Sequence, residues 1–193
     1  MEMPTLAAAA LLALAAAGCD RSFTWIGPVG DSDALAAITV NDGDVRVYVC
    51  GGPTTYYSLT RWFEGRVSPP SSLDLEADGW TFQGSVSDAW AYGEMYAPFG
   101  DDWYFIDAPR AEGELTGLYS VMDSGCRTGV IVQDDGGGEP SLQGTWCDEN
   151  GNFAQVTPVY PIQVVGGQLH VQVDLGPLGL GIRDLYVTRD AGL

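Results

Sequence analysis

Leu73-Asp74-Leu75-Glu76-Ala77-Asp78-Gly79-Trp80-Thr81-Phe82-Gln83-Gly84-Ser85-Val86 spells out two strands and the turn between them. Leu73 and Leu75 alternate with Asp74 and Glu76, so apolar side chains fall on one face and carboxylates on the other. Asp78-Gly79 suits a tight hairpin turn, where both central residues need positive φ. Trp80 to Val86 then resumes an extended pattern. The stretch predicts a β-hairpin.

The same grammar extends in both directions. Periodicity is two from residue 35 onward, and Asp44 to Cys50 places Val45, Val47 and Val49 on one face. Tyr56 to Phe63 reads as a strand, as do Ala89 to Tyr96 and Trp103 to Ile106 around Pro98-Phe99-Gly100-Asp101-Asp102. Leu115 to Met122, Arg127 to Gln133 and Leu142 to Cys147 follow. Asn150-Gly151 turns into Phe153 to Val156, and Gly166-Gly167 joins Ile162 to Val165 with Leu169 to Leu175. Asp184 to Thr188 is the last expected strand, and Gly176 to Gly181 reads as a loop. The expected fold is all-β: an antiparallel, up-and-down meander of roughly ten to twelve short strands, closed as a barrel or stacked as a sandwich.

Composition narrows the function. The chain has 193 residues, 26 acidic against 8 basic, and a formal net charge of −18. Every basic residue is an arginine. Nucleic acids and anionic lipid surfaces are recognised through Lys/Arg clusters, so such partners are excluded. Lysine-dependent covalent chemistry is excluded as well. Hydrophobic residues, 46% of the chain, suffice for a real core.

Leu6 to Ala17 is an apolar run of twelve residues, short of the roughly 20 a membrane-spanning helix needs and suited to the apolar region of a signal peptide. The end of the segment, Leu14-Ala15-Ala16-Ala17-Gly18-Cys19, resembles the lipobox of bacterial lipoproteins. That resemblance implies cleavage after residue 18, a lipid on Cys19 and anchoring to a bacterial membrane, facing the periplasm or the surface. Ordinary secretion and a core helix are the alternative readings. The expected organisation is a signal peptide over 1–18, a lipidated cysteine and tether over 19–33, and a single all-β domain over 34–193.

A second resemblance lies in the body. Trp62-Phe63-Glu64-Gly65-Arg66, Phe105-Ile106-Asp107-Ala108-Pro109-Arg110-Ala111, Gly117-Leu118-Tyr119 and Gly129 to Gly136 resemble a pattern in uncharacterised secreted β-rich proteins of high-GC bacteria. It implies an exported β domain and transfers no functional residue.

With Cys19 assigned to lipid, Cys50, Cys126 and Cys147 allow one disulfide and one free thiol. The hairpin around residues 134–140 brings Cys126 and Cys147 to the same end, and this pair is the expected disulfide in an oxidising compartment. Cys50 is then a buried thiol. Pairing of Cys50 with either partner stays open at this level.

Signals for catalysis are sparse. His170, the only histidine, alternates with Leu169, Val171 and Val173 and so falls on the polar face of its strand. No nucleophile elbow and no HExxH zinc motif is present. Glu64, Glu94, Asp101 and Asp102 lie near aromatics, so a small envelope glycan hydrolase is a competing reading. Asn41-Asp42-Gly43-Asp44 and Asp148-Glu149-Asn150-Gly151-Asn152 could ligate calcium, but turns in which these side chains bond their own backbone are the simpler account. No cofactor and no metal is expected. Trp62, Trp80, Trp90, Trp103 and Trp146 either fill the core or form a surface row that stacks sugars or lines a ligand cavity, as in a calycin-like barrel. The sequence thus suggests a membrane-anchored, exported, non-enzymatic binding or accessory module at the cell envelope. Its ligand is a small molecule, a glycan or a protein, and a purely structural or adhesive component is a further alternative.

Overall fold

A computed structural model describes residues 22–134 and 138–190. The described chain is nearly all β. Four strands, β1 (Ser22–Pro28), β2 (Leu35–Asn41), β3 (Asp44–Cys50) and β4 (Arg61–Arg66), form one antiparallel sheet in sequence order. β5 (Ser72–Ala77), β6 (Trp80–Val86), β7 (Trp90–Tyr96) and β8 (Trp103–Pro109) form a second. β9 (Gly117–Asp123), β10 (Cys126–Gln133), β11 (Ser141–Cys147), β12 (Phe153–Pro158), β13 (Val164–Val165), β14 (Gln168–Asp174) and β15 (Ile182–Arg189) make the third. There β12 also pairs with β14 and β15 with β9, which closes a six-stranded barrel. The all-β meander read from the sequence is therefore the fold, built as a sandwich and a barrel together.

Hairpin turns set the register. Asp42-Gly43, Asp78-Gly79, Ser124-Gly125 and Gly166-Gly167 each have positive φ at both central residues. They join directly opposed pairs: Asn41 with Asp44, Ala77 with Trp80, Asp123 with Cys126, and Val165 with Gln168. Such turns twist in the sense the strands need.

Three layers result. Val45, Val47 and Val49 of β3 face the second sheet and meet Phe63, Leu73, Leu75, Phe82 and Met95 in the sandwich core. The opposite face of β3 meets the barrel: Tyr48 and Cys50 pack with Ile26, Ala37, Leu118 and Ile131. The Tyr48 hydroxyl donates to the Gly129 carbonyl at 3.1 Å. The barrel interior is filled by Tyr119, Val130, Trp146, Leu169, Val171 and Val187, among others. The first sheet is thus buried on both sides, while the outer face of the second sheet meets solvent.

Three sequence expectations need correction. The segment 19–33 was expected to be a tether with the domain starting at 34, yet residues 22–28 are β1, paired along its whole length with β2. Trp25 turns into the sandwich core and Ile26 toward the barrel; a strand buried on both faces loses its polar alternation and reads as aperiodic. Cys19 itself lies outside the described residues. Tyr56 to Phe63 is not one strand but a helical turn, α1 (Tyr56–Leu59), followed by β4. The Asp33 carboxylate accepts from the Thr54 backbone N–H at 2.7 Å and from the Thr54 and Thr55 hydroxyls, which holds the entry to the turn. At its exit the Arg61 guanidinium donates to the Leu59 and Ser58 carbonyls. Finally, the strand count is fifteen among the described residues, because β1 and β2 precede Asp44 to Cys50, the first strand delimited in the sequence.

A disulfide joins Cys126 at the start of β10 to Cys147 at the end of β11, with Cα atoms 5.6 Å apart. Cys50 is free and buried, and burial pushes its thiol up to about 11. Among the described residues no helix is long and apolar enough to cross a membrane.

Candidate functional site: an aromatic face on the second sheet

Alternation along β7 and β8 sorts their side chains cleanly. Ala91, Met95, Ile106 and Ala108 point into the sandwich core. Trp90, Tyr92, Glu94 and Tyr96 of β7, and Trp103, Phe105 and Asp107 of β8, take the outer face. Register pairs Tyr96 with Trp103, Glu94 with Phe105 and Tyr92 with Asp107. Across β6, Gln83 lies opposite Glu94 and Ser85 opposite Tyr92. The outer face is therefore an aromatic strip interleaved with carboxylates and an amide.

The five strip aromatics, Trp90, Tyr92, Tyr96, Trp103 and Phe105, are each between 37% and 55% exposed. Burying such rings normally stabilises a fold, so a contiguous exposed group of them is informative. Trp90 and Tyr92 are stacked, with centroids 6.3 Å apart and planes 18° from parallel. The Tyr96 hydroxyl donates to the Glu94 carboxylate, a bond that holds the Tyr96 phenol above its usual pKa. Gln83, Ser85, Tyr92, Glu94 and Phe105 border a shallow recess of about 270 Å³. Phe99, in the loop between β7 and β8, is 92% exposed.

The inner face explains why the rings stay outside. Phe82 of β6 lies directly under Gly93, where a Cβ would come within 2.3 Å of its ring. With Phe82, Met95 and Ile106 filling the core, there is no room for the β7 aromatics, and the inward positions between Trp90, Tyr92 and Glu94 are the small Ala91 and Gly93.

The remaining candidates have structural roles. Glu64 pairs with Arg46 at 3.3 Å and with Arg127. Asp101 and Asp102 are exposed in the β7–β8 loop. Asp148 accepts from the Asn150 and Asn152 backbone N–H groups and from the Asn152 amide at 2.9–3.0 Å, a self-bonded turn. Asn41-Asp42-Gly43-Asp44 is the β2–β3 turn, with Asp44 paired to Arg66. Among the described residues no cluster of three or more metal-ligating side chains occurs. His170 lies on the outer barrel face, donates to Asp184 at 2.8 Å and stacks on Tyr186. Trp146 is buried in the barrel, its indole N–H donating to Asp123 at 2.8 Å. Trp62 stacks on Tyr48, and Trp80 lies under the Arg61 guanidinium. Only Trp90 and Trp103 of the five expected tryptophans reach the strip.

Tyr92, Tyr96 and Phe105 did not stand out in the sequence. Their signal is the alternation of large aromatics with Ala91 and Gly93, which is legible only once the core is known to be filled from elsewhere.

No family model, curated protein or solved structure matches this chain. The aromatic strip therefore rests on its own geometry.

Proposed function

We propose that the protein is an exported, lipid-anchored, non-enzymatic binding module of the cell envelope, and that the β7–β8 aromatic strip is its binding surface. The observation that carries this reading is the exposure of five aromatic side chains on one face of two neighbouring strands. Packed interiors in both the sandwich and the barrel favour a surface site over a calycin-like cavity. The carboxyls Asp33, Asp148 and Asp184 are held below the usual range by hydrogen bonds, the wrong direction for a general acid.

Anchoring gives the strip an orientation. If Cys19 carries the lipid, three residue steps, at most about 11 Å of chain, reach Ser22 at the start of β1. The domain then stands directly on the membrane instead of floating on a tether. β1 runs antiparallel to β8, with Trp25 opposite Arg110 and Val29 opposite Ile106. The Trp90–Pro109 end of the strip is accordingly nearer the anchor, and Trp103 is held outward.

Two measurements test the reading. Mass spectrometry of the chain extracted from its host's membranes should give a polypeptide beginning at Cys19 with acyl chains; an unmodified N-terminus removes the anchor. Fragments of the host envelope should change the fluorescence of Trp90 and Trp103, and Tyr92→Ala/Trp103→Ala should abolish retention on those fragments. Unaltered retention of that double variant removes the strip from the proposal.

A further inference from the structure

The chemistry of the strip specifies its ligand more closely. We infer, resting on the binding-surface reading above, that the strip takes a polysaccharide chain free of anionic groups. A pyranose ring has an apolar C–H face and a rim of hydroxyls. Aromatic faces match the first, and side-chain carboxylates and amides match the second. The strip offers both in alternation: Glu94 stands between Tyr92 and Tyr96 along β7, with Phe105 opposite it on β8 and Gln83 opposite it on β6.

Charge selects among glycans. None of the strands β5 to β8 contains an arginine or a histidine, and Arg110, just past β8, is engaged over the Phe23 ring and with the Asp88 carbonyl, so sulfated or uronic-acid polymers would meet Glu94 and Asp107 with no cation beside them on the strip. A protein partner fits poorly for a related reason. The core of a protein interface is depleted in charge, and docking a protein here would dehydrate those carboxylates at the centre of the patch. One Asp107 carboxylate oxygen is already buried without a hydrogen-bond partner. A sugar chain lying along the strip leaves the face open to water on both sides and supplies hydroxyl donors to the exposed carboxylate oxygens.

Length argues for a chain over a single sugar. Trp90 to Tyr96 spans about 20 Å at the strand rise, and the aromatics of both strands are distributed along it.

The test uses the full chain in detergent and the host's envelope, divided into untreated, protease-digested and periodate-oxidised portions; periodate cleaves the vicinal diols of sugar rings. Expected are retention on the protease-digested portion that persists in 1 M salt, where the screening length is roughly 3 Å, a loss of at least about tenfold after periodate, and a similar loss for Tyr92→Ala/Trp103→Ala. Phe105→Tyr, which keeps a ring, should retain binding, and the circular dichroism of each variant reports folding. Periodate spares chains without vicinal diols, so a portion hydrolysed in hot acid, which cleaves glycosidic bonds of every linkage, stands beside it; retention that is destroyed by protease, or that survives both periodate and acid hydrolysis, overturns the polysaccharide assignment. If the untreated envelope still binds through Tyr92 and Trp103 in that case, the binding surface stands and only its ligand class is wrong. If neither residue affects any portion, both readings fail.

Discussion

The guanidinium of Arg46, on the middle of β3, holds the carboxylate of Asp190, at the end of the described chain. The Asp190 side chain is 3% exposed and that of Arg46 12%, so this ion pair lies within the seam between sandwich and barrel. Ser120 adds a hydroxyl donor to Asp190 at 3.2 Å, and Glu64 gives Arg46 a second carboxylate. The two partners are therefore unequal. Arg46→Met leaves Asp190 buried without its cation and should cost about 3–5 kcal/mol. Asp190→Asn leaves Arg46 with Glu64 and should cost less. The double variant should recover part of the Arg46→Met loss. Urea unfolding of the four proteins checks the order, and equal losses for the two single variants would remove the asymmetry.

Acid should weaken the Asp33 contact that holds the entry to α1. Hydrogen bonds from the Thr55 hydroxyl, and from the Thr54 N–H and hydroxyl, outweigh the opposing effect of burial and lower the Asp33 pKa to about 2. A carboxyl whose pKa is lower folded than unfolded contributes stability above its unfolded value, near 3.9, and that contribution is lost as the pH falls through about 2. Asp33 is exposed, so the contribution is screened and modest. Between roughly pH 4 and pH 2 the wild type should lose Tm faster than Asp33→Asn. Parallel Tm curves would assign the acid sensitivity to other carboxylates.

Gly93→Ala tests the packing that keeps the aromatics outside. A Cβ there would overlap the Phe82 ring, and overpacking of this kind costs about 1–3 kcal/mol. Phe82→Leu on the same background should restore part of the loss. A Gly93→Ala protein with an unchanged Tm would mean that the second sheet yields more easily than its packing implies.

Thiol chemistry separates the cysteines. In the native chain Cys50 should resist iodoacetamide at pH 8, since it is buried and its pKa is raised. It should react only after unfolding. Cys126→Ser/Cys147→Ser removes a link between residues 21 apart in sequence and should lower stability by about 3 kcal/mol. Labelling of native Cys50 at the rate of a free thiol would contradict the packed seam.

Leu73 to Val86 was readable because one face of its hairpin meets solvent, and it forms strands within a residue of the expected bounds. Asp44 to Cys50, buried on both sides, still alternates because its barrel-facing side carries Arg46, paired with Asp190, and Tyr48, bonded to the Gly129 carbonyl. The Cys126–Cys147 pair followed from the hairpin between them, since a hairpin fixes which of its ends approach. His170 was placed on the polar face by its apolar neighbours, and it is there. Ser22 to Pro28 was unreadable because its two faces are buried in different cores, so neither carries a polar signature. Tyr56 to Leu59 was misread because its turn is fixed by Asp33, about twenty residues away, and no local window contains that contact.

The sequence by itself determined the class of fold, most of the turns and the negative charge, because each depends on near neighbours or on totals; the structure chose Cys126–Cys147 among the pairings the sequence left open. Only the tertiary structure decided that the meander divides into a sandwich and a closed barrel, and which faces of β1 and β3 become the seam. It also decided the position of the aromatics. Ala91, Gly93 and Met95 point inward under Phe82 and Ile106, which leaves Trp90, Tyr92 and Tyr96 on the solvent side. That choice depends on the volume already filled by residues from other strands, and alternation along a single strand carries no record of it.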